Sequence, residues 1–386
     1  MSLIVFPFKV EDPSVVINDV KIAASHQKVR EVLCVGAGEE STFAAIQDAA
    51  PDIQSETGVK VSVIVQERIG NKRSGKGDGM NTALKYFINN TDHQRIHFYD
   101  ADITSFGANW ITKAEDAADY GFGVVRHYFP RARTDGMITQ MVTKVGFALL
   151  WPNSGLSWIE QPLGGELLFT RPVVEKLISD ERVMNQSDWG IDTLYTFSTL
   201  QHGFKLYESY MAEGKAHKLY GKLTDIRTML IECFSAIQSL KNEKVDQDVV
   251  HRMETPNEVP SSITEKLGFD FEGTMQLLIS NWTEKQEEYL QLFPASVKSS
   301  FLENKRIPSF SFMTENTWKD TYFTFIEHFV KGDPDWEELL FKLWLSRVLH
   351  FTTQVAIRGY DFSQRYLHDM VHRYRMHEAQ KGQSKM

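Results

Sequence analysis

Short apolar runs alternate with amphipathic stretches over the first half of the chain. The runs are rich in β-branched and aromatic residues, which is typical of strands, whereas apolar residues recur at helical spacing in Pro13–Ser25, Ser41–Ala50 and Asp78–Ile88. This order predicts an α/β fold with a mostly parallel central sheet, which binds ligands at the carboxyl ends of its strands. The predicted strands are Leu3–Pro7, Val32–Val35, Val61–Gln66, Ile96–Tyr99, Gly123–Arg126, Leu167–Thr170 and Phe204–Tyr210.

The pattern changes at about Thr224, after which helical periodicity and aromatic residues dominate. We therefore expect two domains, an α/β domain over 1–223 and an α-helical domain over 224–386. The polar, proline-containing stretch Asn242–Ser262 predicts a linker, and the tail after His377 is expected to fray. Further helices are predicted around Thr274–Leu292, Thr317–Val330 and Trp336–Ala356.

Composition and charge narrow the class of protein. Charged residues make up 24% of the chain and hydrophobic residues 42%, as in ordinary soluble proteins. No apolar stretch approaches the roughly 20 residues that span a bilayer, and Met1–Phe6 lacks the basic residues of a signal peptide. Two cysteines, Cys34 and Cys233, do not indicate a disulfide framework. We therefore expect a cytoplasmic protein that binds no membrane, and the formal net charge of −9 argues against binding nucleic acid.

Two carboxylates, Asp100 and Asp102, follow the predicted strand Ile96–Tyr99. At the carboxyl end of a strand both leave the sheet together, and together they can hold a hard divalent cation through oxygen. Such a cation can grip a diphosphate, and Asp-x-Asp in this place is typical of glycosyltransferases that use nucleotide sugars. The alternative reading is an acidic turn, because Asp-x-Asp also occurs by chance in loops.

A histidine, His217, stands far downstream in the segment Glu213–Tyr220. A single histidine in such a segment is more often structural than a ligand. Paired with the earlier Asp-x-Asp, it supplies the nitrogen ligand that Mn²⁺ sites accept. We therefore favour the metal-binding interpretation of His217.

Two glycine-rich segments suggest other nucleotide-binding folds. Gly36-Ala37-Gly38 follows a strand, but a dinucleotide fingerprint has a third glycine and follows the first strand rather than the second. Gly70–Lys76 fits a P-loop up to its lysine, but Gly77 stands where the magnesium-binding Ser or Thr belongs. We expect neither fold. The second segment still offers Lys76 and a helix N-terminus to an anion, and its alternative reading is a loop closed by glycines.

Eight short motifs follow one another in a distinctive order along the chain. They are Phe6-Pro7-Phe8-Lys9, Gln66-Glu67-Arg68, Gly75-Lys76-Gly77-Asp78-Gly79-Met80-Asn81, Asp100-Ala101-Asp102, Arg126-His127-Tyr128-Phe129-Pro130-Arg131, Gln161-Pro162-Leu163-Gly164-Gly165-Glu166, Asp188-Trp189-Gly190-Ile191-Asp192 and Gly214-Lys215-Ala216-His217. This order resembles the mannosylglycerate synthase family up to about residue 240; beyond it the resemblance is one of kind and length. The resemblance implies a retaining GT-A glycosyltransferase domain that binds a nucleotide sugar, followed by an α-helical C-terminal domain. It further implies GDP-mannose as donor and D-glycerate as acceptor.

The resemblance also implies roles for residues at the donor. Gln66 and Lys76 hold the base or the ribose, and Asp100 accepts a hydrogen bond from a ribose hydroxyl. Asp102 and His217 bind a divalent metal, Mn²⁺, Mg²⁺ or Ca²⁺, which acts as a Lewis acid for the departing GDP. The other residues expected around the nucleoside and the phosphates are Pro7, Phe8, Lys9, Val10, Glu11, Val35, Lys218 and Tyr220.

The acceptor requires a group that binds its carboxylate. Arg131 fits this role because a guanidinium makes a planar two-point contact with a carboxylate; the alternative is a surface cation like Arg133. The following loop is expected to open a helix, whose free N–H groups and threonine hydroxyl reach the same carboxylate. At Gly136 the family pattern leads us to expect a small side chain such as alanine. The loop residues are Gly136, Met137, Ile138 and Thr139.

Asp192 is expected in the first turn of a helix, where its carboxylate can bind mannose or glycerate hydroxyls or take a proton. A covalent route to retention needs a carboxylate on the opposite face of the sugar. The sequence offers no second carboxylate with a clear claim to that role. We therefore favour same-face attack, with the backbone of Leu163 at the sugar and the leaving phosphate accepting the proton.

Two hypotheses of different classes follow. The first is an enzyme that makes mannosylglycerate, a compatible solute, with GDP-glucose, glycolate or lactate as variant substrates. The second is a non-catalytic protein that binds a nucleotide sugar. Intact metal and acceptor groups favour the enzyme, because a protein that only binds does not need both. The sequence leaves open which metal serves, and whether the aromatic helices complete a core or join copies of the chain.

Overall fold

The computed structural model describes residues 1–216, 223–252, 259–264, 271–280, 282–303 and 310–383. A π-helix, Thr139–Thr143, leads into one of the α-helices, and a 3₁₀ turn spans Leu156–Trp158. In chain order the α-helices are α1 (Pro13–Ala24), α2 (Ser41–Thr57), α3 (Lys76–Asn90), α4 (Ala108–Asp119), α5 (Lys144–Leu150), α6 (Arg171–Ser179), α7 (Glu181–Met184), α8 (Ile191–Gln201), α9 (Leu223–Ser239), α10 (Ser261–Thr264), α11 (Phe271–Ile279), α12 (Glu284–Leu290), α13 (Ala295–Glu303), α14 (Glu315–His328), α15 (Pro334–Val355) and α16 (Tyr360–Gln383).

The described residues form two compact units that interleave along the chain. The first unit draws on 1–130, 154–221 and 245–258, and the second on 131–153, 222–244 and 259–386. The domain bounds expected from the sequence, 1–223 and 224–386, stay a prediction. No helix among the described residues is both long enough and apolar enough to cross a bilayer.

The first unit is built on one sheet of eight strands in the order β3-β2-β1-β4-β6-β5-β7-β8. Every neighbouring pair is parallel except the two that β6 makes with β4 and β5. The expected mostly parallel α/β sheet is therefore confirmed. The strands are β1 (Ser2–Pro7), β2 (Val29–Gly36), β3 (Lys60–Val65), β4 (Arg95–Phe98), β5 (Val124–Tyr128), β6 (Leu167–Thr170), β7 (Leu206–Tyr210) and β8 (Val250–Arg252).

One edge of this sheet collects the loops that carry the candidate site. The parallel strands all end there, and the antiparallel β6 begins there, since its first residue Leu167 pairs with Phe98, the last residue of β4. Residues just before β6 therefore lie beside residues just after β4. This register brings the Gln161–Glu166 motif next to Asp100.

Helices cover the sheet and bury its apolar side chains. Val16 and Val20 of α1, Ile53 of α2 and Trp110 of α4 share one core cluster with side chains of the strands. Helix α1 begins at a proline, which costs nothing in a first turn, and Asp12 caps it by accepting from the Ser14 N–H at 2.8 Å. The rigid sheet so formed fixes where each loop leaves it.

The second unit has an aromatic helical core. Trp318 and Tyr322 of α14 donate to the carbonyls of Met141 and Val142 at 2.9 and 3.0 Å. These bonds satisfy carbonyl groups within the π-helix, which explains why the segment 131–153 clusters with helices from the end of the chain.

Two expectations about loops and termini are wrong. The predicted linker Asn242–Ser262 contains β8, which pairs in parallel with β7 at the sheet edge. The short run Val249-Val250 was too brief to register as a strand against its polar surroundings. The tail after His377 does not fray at once, because α16 continues to Gln383. Glu378 supports this last turn by pairing with Lys381 at 3.0 Å.

The helical stretch predicted around Thr274–Leu292 consists of two helices, α11 and α12. Thr283 lies between them, and its hydroxyl accepts from the Gln286 N–H at 3.1 Å. A threonine in this place is an N-cap, which begins a new helix rather than continuing the previous one.

Candidate active site

A buried cluster of opposite charges lies where the strands end. Lys76 Nζ is 2.9 Å from Asp192 Oδ2 and 3.4 Å from Asp100 Oδ1. Lys76 is the first residue of α3, Asp100 follows β4, and Asp192 lies in the first turn of α8, as expected. Three residues that are distant in sequence and were proposed for one site are therefore brought together.

Lys215 and Glu166 extend this cluster. Lys215 Nζ is 2.6 Å from Asp100 Oδ2 and 2.6 Å from Glu166 Oε1. Asp192, Lys76, Asp100, Lys215 and Glu166 thus form a continuous chain of alternating charges, which we call the charge chain. Its side chains are buried or nearly so, apart from Asp100 with 30% of its side chain exposed. Asp100 is therefore the member that a ligand reaches most readily.

One member of the charge chain, Lys76, stands where helix electrostatics disfavour its charge. Lys76 places a positive charge at the positive end of a helix, where the dipole disfavours it. The two carboxylates at its ammonium group, Asp100 and Asp192, offset that cost. Charges placed against local preference and then compensated are characteristic of functional sites.

Neighbouring charges determine the protonation of the cluster. Burial alone would raise the pKa of Asp100, but Lys215 and Lys76 lower it well below its ordinary value. Burial opposes the charge of Lys76, yet Asp100, Asp192 and Glu166 raise its pKa well above the ordinary value. Burial raises the pKa values of Glu166 and Asp192. At neutral pH, Asp100 and Lys76 are therefore fixed charges of opposite sign.

Gly165 allows the charge chain to close. A β-carbon at this position would lie 2.2 Å from Asp100 Oδ1 and 2.8 Å from Lys76 Nζ. No side chain fits there unless the carboxylate and the ammonium group move. The glycine in the Gln161–Glu166 motif is therefore required by the close approach of two charged groups.

The loop that resembles a P-loop is closed by its own contacts. The Asp78 carboxylate accepts from the N–H groups of Ile69 and Gly70 at 3.0 and 2.9 Å, and Asn71 donates to the Asn185 carbonyl at 3.1 Å. Lys76 meanwhile points to Asp192 and Asp100. Asp78 of α3 and the Asn185 carbonyl therefore hold the loop, and its lysine faces the charge chain; anion binding by this loop stays a prediction.

The loop Pro7–Glu11 and the end of β2 present mainly backbone groups at the edge of the sheet. Phe8 and Val35 are buried, and the Phe8 N–H donates to the Val35 carbonyl at 2.9 Å. By contrast, Lys9 and Val10 are exposed. Gln66 follows β3 and donates to Ser74 Oγ at 3.3 Å. Of the remaining first-loop residues, Pro7 ends β1, and the Glu11 carbonyl accepts from Thr42 Oγ1 at 2.6 Å.

Four backbone and side-chain contacts hold the segment that precedes His217. The Ala216 carbonyl accepts from Thr104 N at 2.8 Å and from Thr104 Oγ1 at 3.1 Å. Ser105 Oγ donates to the Gly214 carbonyl and accepts from Ala216 N, both at 3.0 Å. Ala216 is thus bonded to Thr104 and Ser105, which follow Asp102 by two and three residues. His217, Lys218 and Tyr220 themselves lie outside the described residues.

A further carboxyl group lies under Asp102. Asp19 of α1 is buried, and its Oδ2 has no hydrogen-bond partner among the described residues. Burial, and to a lesser extent the charge of Asp102, raise the pKa of Asp19 to about 7. No group of three His, Cys, Asp or Glu side chains able to hold a metal occurs within the described residues. Asp102 is half-buried at this point, and its role as a metal ligand stays a prediction.

Of the residues expected at the acceptor, Arg131 and the loop 136–139 belong to the second unit, whereas Leu163 and Asp192 belong to the first. Arg131 Nη1 pairs with Asp135 Oδ2 at 2.9 Å, and Met137 opens the helical segment as expected. Gly136 has a φ of 66°, a left-handed conformation that an alanine there would adopt only with strain. This explains the departure from a small side chain at Gly136. Ile138 and Thr139 are buried behind it.

Comparisons with known proteins decide the family. The chain matches the family model for the mannosylglycerate synthase GT domain over residues 2–239 and that for the mannosylglycerate synthase C-terminal domain over residues 263–371. The chain belongs to the mannosylglycerate synthase family. It is 59% identical to a mannosylglycerate synthase from Rhodothermus marinus over 379 residues, which are 98% of this chain and 96% of that relative. It is 55% identical to one from Selaginella moellendorffii over 364 residues, 94% of this chain and 86% of that relative.

Among solved structures, a glucosyl-3-phosphoglycerate synthase from Mycobacterium tuberculosis, in complex with Mn²⁺, UDP-glucose and phosphoglyceric acid, matches with a TM-score of 0.48. The match has 17% sequence identity and covers 62% of this chain and 79% of that one. The family models confirm that the chain is a glycosyltransferase of the kind that makes mannosylglycerate, and that its α/β unit has the GT-A fold.

Three charged residues of this mannosylglycerate synthase family site received no role from the sequence. Arg126, Glu166 and Lys215 all lie within the motifs that carried the resemblance; Arg126 and Glu166 are buried, and the Lys215 side chain is nearly so. A usable signal was present at Arg126, because it interrupts the apolar run of a strand interior. Glu166 and Lys215 gave no such signal, since both stand in polar loops.

Proposed function

We propose that this chain transfers mannose from GDP-mannose to D-glycerate with retention, giving 2-O-α-mannosyl-D-glycerate. The observation that carries the proposal is the charge chain at the carboxyl edge of the sheet in a chain of this family. Alternating carboxylates and ammonium groups suit a sugar, because each hydroxyl both donates and accepts. Asp192 Oδ1 and Glu166 Oε2 are buried and have no hydrogen-bond partner among the described residues.

On the donor side, the nucleoside lies against the loop Pro7–Glu11 and the end of β2, with Gln66 and Lys76 beside it. Asp100 accepts from a hydroxyl of the donor, and its lowered pKa keeps it ionised for that purpose. Lys218 and Tyr220 reach the phosphates. The net charge of −9 makes such local cations necessary for an anionic donor.

A divalent metal, Mn²⁺ or Mg²⁺, completes the donor site. Asp102 and His217 would hold it, since His217 is the next residue after Ala216, whose carbonyl is bonded to the chain two residues past Asp102. The Asp19 carboxyl, whose Oδ2 has no hydrogen-bond partner among the described residues, lies near Asp102. When bound, the metal supplies Lewis-acid stabilisation of the charge that develops on GDP.

On the acceptor side, the Arg131 guanidinium binds the carboxylate of D-glycerate in place of its contact with Asp135. The N–H groups of the loop 136–139 and the Thr139 hydroxyl bind the same carboxylate. Asp192 accepts from the mannose or the glycerate hydroxyl. The glycerate attacks from the face that GDP leaves, the Leu163 backbone lies at the sugar, and the leaving phosphate takes the proton.

The experiment that tests this proposal measures GDP release with purified protein and a panel of substrates. GDP-mannose with D-glycerate and Mn²⁺ or Mg²⁺ is expected to turn over, and chelation of the metal is expected to stop it. GDP-glucose, glycolate and lactate serve as matched controls for donor and acceptor. GDP release that does not depend on D-glycerate would overturn the acceptor assignment, and no release across the panel would favour a protein that only binds.

Two further features belong to the proposal. The protein acts in the cytoplasm, where a compatible solute is needed. Copies of the chain associate, if at all, through the helical C-terminal region, which carries many aromatic side chains. Neither feature affects the chemistry proposed for the site.

A further inference from the structure

Arg126 is a buried guanidinium that makes no ion pair among the described residues. It lies in β5 with 1% of its surface exposed. Burial lowers its pKa, and the carboxylates Asp192, Glu208 and Glu166 are near enough to oppose that effect without bonding to it. Removing a guanidinium from water costs several kcal/mol unless other groups compensate. Its bonding partners must therefore account for its presence.

These partners are backbone carbonyls and one hydroxyl. Arg126 Nη1 donates to the Gly164 carbonyl at 3.0 Å and to the Gln161 carbonyl at 3.3 Å. The same two residues close a turn, in which Gly164 N donates to the Gln161 carbonyl at 3.0 Å. Leu163 lies within that turn. Nη1 of the guanidinium thus binds carbonyl groups on both sides of Leu163.

The other terminal nitrogen connects the turn to α8. Arg126 Nη2 donates to Thr196 Oγ1 at 2.7 Å. Thr196 Oγ1 lies 2.8 Å from the Pro162 carbonyl and 2.8 Å from the Asp192 carbonyl. The hydroxyl has a single proton, so it accepts from Arg126 and shares that proton between the turn and the first turn of the helix.

We propose that Arg126 and Thr196 are positioning residues that hold the Leu163 backbone at a fixed place relative to the Asp192 carboxylate. This inference rests on the proposed function, in which both of those groups lie at the reacting sugar. Neither Arg126 nor Thr196 touches the substrate. They act by preventing the turn 161–164 from moving against α8, since a misplacement of about 1 Å can cost about a hundredfold in rate.

The test compares Thr196→Val with Thr196→Ser. Valine keeps the shape of threonine but removes the hydroxyl, and serine restores it. A matched control is Thr199→Val on the same helix, because among the described residues the Thr199 hydroxyl bonds only within the helix, to the Tyr195 and Thr196 carbonyls at 2.7 and 3.0 Å. Arg126→Lys provides a second variant, which keeps the charge but cannot reach two carbonyls and a hydroxyl.

Three measurements are made on each variant: kcat, the two KM values, and backbone hydrogen exchange of the peptide 160–166 without substrates. Thr196→Val is expected to lower kcat roughly 10- to 100-fold with little change in either KM, and to speed exchange in that peptide. Thr196→Ser is expected to restore both. Thr199→Val is expected to lower the melting temperature alone. Arg126→Lys is expected to show the same lowered kcat and the same faster exchange. It therefore tests the inference even if Thr196→Val does not fold.

Two results would overturn the inference. One is a kcat for Thr196→Val and Arg126→Lys no lower than that for Thr199→Val. The other is unchanged exchange in the peptide 160–166 in both variants. The exchange result does not depend on the substrates. If the wild type makes no mannosylglycerate, the proposed function fails, while the exchange comparison still decides whether the turn is held in this way.

Discussion

The substitution Gly165→Ala tests whether the closed charge chain is needed for activity. The added β-carbon would lie 2.2 Å from Asp100 Oδ1, whereas ordinary van der Waals contact begins at 3.4 Å. The Asp100 carboxylate must then retreat by about 1 Å, and the Lys76 ammonium group, which pairs with Asp192 at the proposed reacting sugar, must move as well. The Asp100 carboxylate would also lose its place between Lys76 and Lys215, which pair with it at 3.4 and 2.6 Å.

Activity is expected to suffer more than stability. A displacement of about 1 Å at a reacting centre costs roughly a hundredfold in kcat. Overpacking of a well-filled site costs about 1–3 kcal/mol of unfolding free energy, which leaves the protein folded at room temperature. Measurement of kcat and of thermal unfolding on the same preparation separates the two effects.

Gly164→Ala is the matched control, because it adds the same methyl group one residue earlier. Its β-carbon would meet the Gln161 carbonyl at 3.3 Å and Glu166 Oε2 at 3.4 Å, which requires shifts of at most a few tenths of an ångström. Gly164→Ala should keep kcat within about threefold of the wild type. A folded Gly165→Ala variant with the wild-type rate would refute the reasoning, as would an equal loss in both variants.

Three further predictions address the acceptor, the buried carboxyl group and the metal. Arg131→Ala should raise the KM for D-glycerate by ~10- to 150-fold and the KM for GDP-mannose far less, because a charge-assisted hydrogen bond is worth ~1.5–3 kcal/mol. The control is Arg133→Ala, which should leave both KM values unchanged. The Arg133 guanidinium donates to the Val355 and Ala356 carbonyls at 3.3 and 3.2 Å. Asp19→Asn should stabilise the metal-free protein at high pH by as much as about 4 kcal/mol. The sign follows because the folded-state pKa of about 7 lies above the ordinary 3.8, so ionisation of Asp19 costs stability in the folded protein. The stability gained by Asp19→Asn should shrink as the pH falls from about 7 toward 3.8. Denaturant titrations that show no such trend would exclude this prediction. His217→Ala should remove most activity and weaken the dependence on added Mn²⁺, with an unchanged melting temperature; unchanged kinetics would rule out His217 as a metal ligand.

The sheet was predictable because its signals are local. The strands from Leu3 to Tyr210 are apolar runs bounded by helical patterns, and most are displaced from prediction by only a few residues. The strand β8 was missed, since its three residues carry one apolar side chain in a polar stretch. Its position depends on pairing with β7, which is not a local signal.

The candidate site was predictable where a motif names its chemistry. Asp100 and Lys76 were assigned to the donor and Asp192 to the sugar or acceptor through the family resemblance that their motifs carry, and the structure brings their side chains together. Lys215 and Glu166 could not be assigned, because their significance lies in the pairing of Lys215 with both Asp100 and Glu166, which only the folded chain brings together.

At a few single residues, burial or backbone conformation made the structure differ from the prediction. Phe8 and Val35 were expected beside the nucleoside, yet their side chains lie in the core, so only their backbone is available to a ligand. At position 136 the family pattern led us to expect a small side chain such as alanine, whereas the left-handed backbone there explains the glycine. Neither burial nor backbone conformation can be read from residue type alone.

The most direct test of the proposed reaction is the anomeric configuration of its product. Purified protein is incubated with GDP-mannose, D-glycerate and Mg²⁺ or Mn²⁺, and the product is examined by NMR. We expect mannose linked through an α-anomeric carbon to the 2-hydroxyl of D-glycerate, formed together with GDP. A β-linked product would contradict retention and same-face attack, and the absence of any glycerate adduct would contradict the proposed reaction itself.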